Sequence, residues 1–284
     1  MSRPRVIVAI GEALLREFSD REEPAGLALL VPLHAKRLGH TGIAISRLGQ
    51  DATAERLLTL LQSQQIDASH LQSDPDLPTG RLRLIGSSTS RGDEARAAFD
   101  ELQWDFDLAD VAQQADAVVY GALARRTGQC RSVIDRFLAE CGSCLRVLDL
   151  TNRADHDEPR TAPTSGLKFA DVVVVDEAAL AVVLPSAIGK PTPDAMSELL
   201  RQSDAQVALW TQPDQPLALY TASASWTGSQ PIGAEAREAT VVGLVHGMLN
   251  GWDLREALRL AERVTRHAIE HRGQPPPAEL LARS

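Results

Sequence analysis

The chain has 284 residues, with 29 Lys and Arg against 38 Asp and Glu and a net charge of −9 at neutral pH. That balance excludes a basic nucleic-acid binder and a polybasic membrane-surface protein, and a hydrophobic share of 44% excludes a wholly disordered chain. The length suffices for one large domain or two small ones without disulfide or metal staples, and three cysteines are too few for a disulfide framework and fit a reducing cytoplasm.

The chain opens on a β-branched run, Val6 to Ile10, that reads as a strand. Glu12 interrupts the apolar stretch too early for a signal peptide. No later run approaches the roughly 20 apolar residues of a membrane span. Leu14 to Phe18 and Thr79 to Ile85 alternate polar and apolar residues, as strands with one wet face do. They suggest a small separate sheet, a lid spanning about residues 12–20 and 79–100. Between them lie a strand at Gly42 to Ile45 and a helix over Ala52 to Gln64. Further on, apolar runs at Ala117–Tyr120, Leu145–Leu148, Val172–Val175 and Val207–Trp210 lack polar alternation, as strands covered on both faces do. Helices are expected over Gly128–Glu140, Pro193–Arg201, Thr240–Leu249 and Leu254–His271, the last ended by Gln274-Pro275-Pro276-Pro277. Strands alternating with helices predict a doubly wound α/β sheet. The polar, proline-rich stretch Thr151 to Gly166 then falls at a strand's carboxyl end, where such sheets place their ligands.

With these elements in order, the chain resembles the PfkB, or ribokinase-like, carbohydrate kinases, especially their fructokinase-like branch. The resemblance rests on Val8 to Leu15, on Arg37-Leu38-Gly39 followed by Ser46 to Asp51, and on Gln65-Ile66-Asp67 with Leu77-Pro78-Thr79-Gly80. It continues in Tyr120 to Arg126, in Leu148 to Arg153 and in the helix Ala239 to Gly247. It covers almost the whole length and implies a three-layer ribokinase-like domain over residues 1–284, with a mostly parallel central sheet and a small β lid. It also implies ATP-dependent phosphorylation of a sugar such as fructose, ATP and Mg²⁺ as cofactors, and room for a homodimer paired through the lid.

The residues that resemblance assigns to chemistry have changed. The family's GAGD motif supplies a glycine-lined anion hole and an Asp that accepts the sugar hydroxyl's proton. Here it falls on Glu235-Ala236-Arg237-Glu238. Glu238 holds the Asp position and is the candidate base, while Glu235 and Arg237 replace both glycines. Glu235 and Glu238 also read simply as acids in the first turn of a helix. Arg237 and Arg153 are the candidate phosphate ligands. The family's substrate Asp falls on Arg16, and its GGxxxN sugar clamp on Ala25 to Leu30, keeping Gly26 but placing Leu30 at the Asn. On the nucleotide side, the NxxE motif begins at Asp176 without its Glu, and the TxGxxG turn begins at Thr211 with Pro213 and Pro216 in place of both glycines. No chemical centre of the family is intact. The chain therefore reads as a kinase homologue of weak or lost activity, or as a pseudokinase that binds a ligand or scaffolds a partner. A third reading is a rebuilt site that takes an anion through Arg16 and Arg153.

Other groupings read as structural. Cys141-Gly142-Ser143-Cys144 lacks a fourth zinc ligand and reads as a helix end with small buried thiols. Asp155-His156-Asp157-Glu158 reads as a solvated acidic loop. His34 and His40 read as surface residues, His246 as a packing residue or a helix-end hydrogen bond, and Trp104 and Trp210 as core.

Overall fold

The computed structural model describes residues 3–85, 88–90, 96–151, 166–188, 192–233 and 236–283. The chain begins with β1 (Val6–Ile10), crosses into β2 (Leu14–Glu17) and β3 (Glu22–Ala25), and returns through α1 (Leu27–Arg37) to β4 (Thr41–Gly49). Then come α2 (Ala52–Ser63), β5 (Leu71–Asp74), β6 (Gly80–Ile85), β7 (Ser88–Ser90), α3 (Phe106–Gln114), β8 (Ala117–Gly121), α4 (Gly128–Glu140), β9 (Leu145–Asp149) and β10 (Val172–Val175). The last part holds α5 (Glu177–Val183), α6 (Thr192–Arg201), β11 (Val207–Trp210), β12 (Pro216–Tyr220), β13 (Ser225–Pro231), α7 (Arg237–Leu249) and α8 (Leu254–Glu270).

The strands form a nine-stranded sheet in the order β13-β12-β11-β10-β9-β8-β1-β4-β5 and a four-stranded lid in the order β3-β2-β6-β7. In the large sheet only β12 and β13 run antiparallel to their neighbours. The predicted α/β architecture with a mostly parallel sheet and a small β lid is what the chain adopts. The lid takes in Glu22–Ala25, beyond the stretch 12–20. Ala98–Glu101 is instead a short 3₁₀ turn whose Phe99 and Asp100 are buried.

Alternation along the strands builds the layers, because successive side chains point to opposite faces. Val8, Ile10, Val118, Tyr120, Val173 and Val175 face a core shared with α3 to α6. Ile7, Ala9, Val119, Val147, Val172 and Val174 face the other core, with α1, α7 and α8. A smaller cluster of Ala13, Leu15, Leu29, Leu48 and Leu57 fills the space toward the lid. The helix α1 escapes a sequence reading because Pro32 sits within it. Burial of Leu27, Leu29, Val31 and Leu33 holds it in place.

α7 is the helix that brings chain to the site, and it is buried on every side from Glu238 to Gly247. It starts at Arg237, ahead of the predicted Thr240, which puts Arg237 and Glu238 in its first turn. Its neighbour α8 approaches closely through small residues. A Cβ on Gly243 would stand 2.9 Å from Ala261 Cα, and one on Gly247 would stand 2.7 Å from Ala257 Cβ. Both contacts involve atoms that cannot swing aside. Gly247→Val is therefore expected to destabilise the protein by about 2–3 kcal/mol through overpacking, read as a lowered urea midpoint with an unchanged slope.

Candidate active site

The parallel strands send their carboxyl ends to one edge, where a doubly wound sheet places its ligands. Glu12 follows β1, Gly121 and Asp149 end β8 and β9, and Asp176 and Thr211 follow β10 and β11. The first turn of α7 brings Ala236, Arg237 and Glu238 into electrostatic reach of these acids.

Glu12 is fully buried. Its Oε1 accepts a hydrogen bond from Leu27 N at 3.1 Å, and its carbonyl oxygen accepts one from Ala28 N at 3.1 Å, so it caps the N-terminus of α1. The approach is so close that a Cβ on Gly26 would lie 2.4 Å from Glu12 O, and Gly26 has a φ of 89°. Only glycine meets both demands. Burial pushes the Glu12 pKa up to about 7, with further help from the charges of Asp149 and Glu238.

Arg237 answers this concentration of acid. Its Nε is fully buried. Burial opposes its charge, but the carboxylates of Asp149, Glu238, Asp176 and Glu12 more than offset that and push its pKa up. Asp149 is itself buried, and its Oδ1 accepts from Thr151 N at 2.8 Å. Asp176 caps α5, its Oδ1 accepting from Ala179 N at 2.7 Å. Among the described residues no group of three or more His, Cys, Asp or Glu side chains is placed to hold a metal ion.

Two hollows flank this centre. The larger, of about 560 Å³, lies under the lid and is lined by Arg16, Leu30, Arg37, Ala236, Glu238 and Arg272 among others. The smaller, of about 60 Å³, lies on the far side and is lined by Asp176, Thr211, Pro213, Arg237 and Thr240 among others. Neighbouring residues of α7 thus face different hollows, Arg237 the small one and Glu238 the large one.

The turn after β11 is closed on itself. Thr211 N donates to Val175 O at 3.0 Å, and Gln215 N donates to Gln212 O at 3.1 Å. Pro213 and Pro216 have no N–H to offer, and Asp214 adopts a φ of 62°.

The sequence-predicted site residues sort cleanly. Arg16, Leu30, Ala236 and Glu238 share the large cleft, and Asp176, Thr211 and Arg237 share the small one. Gly26 serves the junction with Glu12 rather than lining the cleft. Glu235, Arg153 and the acidic stretch 155–158 lie outside the described residues. Sequence reasoning passed over Glu12, Arg37 and Arg272. A lone acid at the carboxyl end of the first parallel strand was the available signal for Glu12, whereas Arg37 and Arg272 reach the cleft only through tertiary packing.

The histidines correct the sequence expectation. His34 lines the cleft and His40 packs against α7, both buried. Arg5 N donates to His40 Nδ1 at 3.2 Å, so the His40 proton sits on Nε2 and is donated to His246 Nδ1 at 2.8 Å. Burial pushes the His34 pKa down to about 3 and the His40 pKa down to about 4. The thiols of Cys130, Cys141 and Cys144 are buried and form no disulfide.

A sequence profile of the pfkB family carbohydrate kinases matches residues 8–279. The chain belongs to that family. A curated relative, fructosamine kinase FrlD of Bacillus subtilis, is 35% identical over 68 residues, which span 23% of this chain and 24% of the relative. Among solved structures, a fructokinase with bound ATP from Xylella fastidiosa superposes with a TM-score of 0.81 at 18% identity, covering 97% of each chain. A PfkB protein from Polaromonas sp. JS666 superposes with a TM-score of 0.80 at 20% identity, covering 99% of this chain and 100% of that one. Identities this low speak for the fold.

The electrostatics generate two expectations. The folded-state pKa of Glu12, about 7, lies above its ordinary 4.5, so the folded chain holds a proton there that the unfolded chain releases. The stability this lends is complete below pH 4.5 and is lost as pH rises through 7. Glu12→Gln is therefore expected to stabilise the protein by about 1–3 kcal/mol at pH 8 and to be near neutral at pH 4, measured by urea unfolding at both values. Arg237→Met removes the cation and leaves the acids facing one another, and is expected to destabilise by about 3 kcal/mol at pH 8, measured in the same way.

Proposed function

We propose that this pfkB-family chain is a sugar-kinase homologue in which ATP-dependent phosphoryl transfer is weak or lost, and that it acts by binding a small ligand in the cleft beneath its lid. The observation that carries this reading is Arg237. Phosphoryl transfer depends on donors aimed at the transferred charge. At this position the resembled family offers glycine backbone, and here a guanidinium stands in the field of the carboxylates of Asp149, Glu238, Asp176 and Glu12.

Kinship with sugar kinases, one of them solved with ATP bound, supports ATP as the donor if turnover persists. The residues on the nucleotide side do not fit the group. A small-molecule site holds roughly 300–1,000 Å³, against about 60 Å³ here. In the turn from Thr211 to Pro216 the Thr211 N–H is spent on Val175 O of β10 and the Gln215 N–H on Gln212 O within the turn. Asp176 gives one carboxylate oxygen to the cap of α5, which weakens it as a holder of Mg²⁺. The sugar side, by contrast, keeps an open cleft and retains an acid, Glu238, on its wall.

The reading predicts that MgATP does not raise the melting temperature. It also predicts that a panel of ketoses and aldoses gives no ADP release above background in a coupled assay. Any residual turnover is expected to vanish in Glu238→Gln. Turnover of about 1 s⁻¹ or faster, the ordinary range for kinases, would overturn the reading.

A further inference from the structure

The cleft under the lid has acquired the wrong charge for a neutral sugar. Arg16 projects from β2 and Arg37 from the last turn of α1, and both line it, with Arg272 beyond the end of α8 on the same hollow. The Nε of Arg16 is buried and makes no hydrogen bond among the described residues. Burial is the one resolved influence on Arg37 and lowers its pKa. The field of Arg37 reaches across the cleft wall, since it helps to hold His34 neutral.

The acids that share the cleft are already engaged. Glu23 accepts from Arg21 at 2.8 Å, and Glu22 accepts from Arg56 at 2.8 Å. Glu238 lies in the field of Arg237. The cleft wall also carries Leu30, an apolar residue with nothing to offer a hydroxyl. Two partly buried guanidiniums with no acid partner among the described residues are costly unless an anion completes them. A guanidinium fork also matches carboxylate and phosphate geometry.

We infer that the cleft takes an anionic sugar, phosphorylated or carboxylated, whose negative group meets Arg16 and Arg37 and whose hydroxyls turn toward Glu238. The inference rests on the reading of the cleft as the ligand site. The hollow, of about 560 Å³, has room for a hexose bearing one such group. The arrangement separates two tasks. Charge is recognised at the lid, and hydroxyls are recognised at the first turn of α7.

Isothermal titration of the full chain with fructose, fructose 6-phosphate, gluconate and inorganic phosphate tests this. At least one of the two anionic sugars is expected to bind, and to bind about tenfold or more tightly than fructose, as charge-assisted hydrogen bonds require. The two distinguish a phosphate from a carboxylate as the recognised group. Affinity is expected to fall with added salt, and to fall about tenfold in Arg16→Gln and in Arg37→Gln. Arg259→Gln, on the outer groove between β13 and α8, keeps the affinity of the parent and excludes a mere effect of net charge. Circular dichroism confirms that each variant is folded.

Fructose binding as tightly as its phosphate would overturn the inference. So would unchanged affinity in both arginine variants, inorganic phosphate binding as tightly as the anionic sugars, or no binding of either anionic sugar to the folded chain at millimolar concentration. These results leave the phosphoryl-transfer reading untouched. Conversely, ATP-dependent turnover of a neutral sugar would sink that reading while the titrations still judge the charge preference of the cleft.

Discussion

The acids at the carboxyl edge of the sheet depend on a cation whose Nε is buried, Arg237. Parallel strands deliver acids to the same place because each of β1, β9 and β10 ends there, and Glu12, Asp149 and Asp176 follow from that topology. Acids gathered away from water repel one another and resist ionisation. Arg237 supplies the compensating charge from the start of α7, and its raised pKa records how strongly they hold it. Glu12 records the opposite side of the balance: even with Arg237 near, burial keeps its proton close to neutral pH.

This constraint reaches the rest of the fold through backbone packing. Glu12 caps α1, and Gly26 lets the chain come down on it. α7 is held between α1 and α8 with buried residues on every side. Its first turn therefore has little freedom to rotate. That rigidity fixes which residue faces which hollow: a shift by one position would put Glu238 or Ala236 at the small hollow in place of Arg237. The division of the site into a small hollow and a large one follows from the register of this helix.

Much of the fold was legible in the sequence because the two-faced strands write themselves plainly. Val172 to Val175 and Ala117 to Tyr120 lack polar alternation, and both cores claim alternate residues of them. Among the elements that escaped, α1 carries Pro32 inside a buried helix, and β13 is mostly exposed and has no buried apolar run to mark it. The candidate site was legible where it lay on motif positions. Arg16, Leu30, Glu238, Asp176, Thr211 and Arg237 were all placed from the sequence, and the structure sorts them into two hollows. What the sequence withheld was pairing. Whether Arg237 would turn outward to a phosphate or inward to acids depends on charges contributed by segments far apart in the chain.

The pattern of change has a physical logic. Positions that determine the fold are read by their side chains' apolar area, and many residues satisfy them. A phosphate cradle is read by exposed backbone N–H groups, and proline or a bulky side chain at a few positions removes it. Chemistry of that kind is lost without any cost to the architecture. Arg237 relieves the gathered acids at the start of α7 and so supports the fold. Arg16 on the lid and Arg37 at the end of α1 line the large cleft, while Arg237 stands in the field of the acids at the sheet edge.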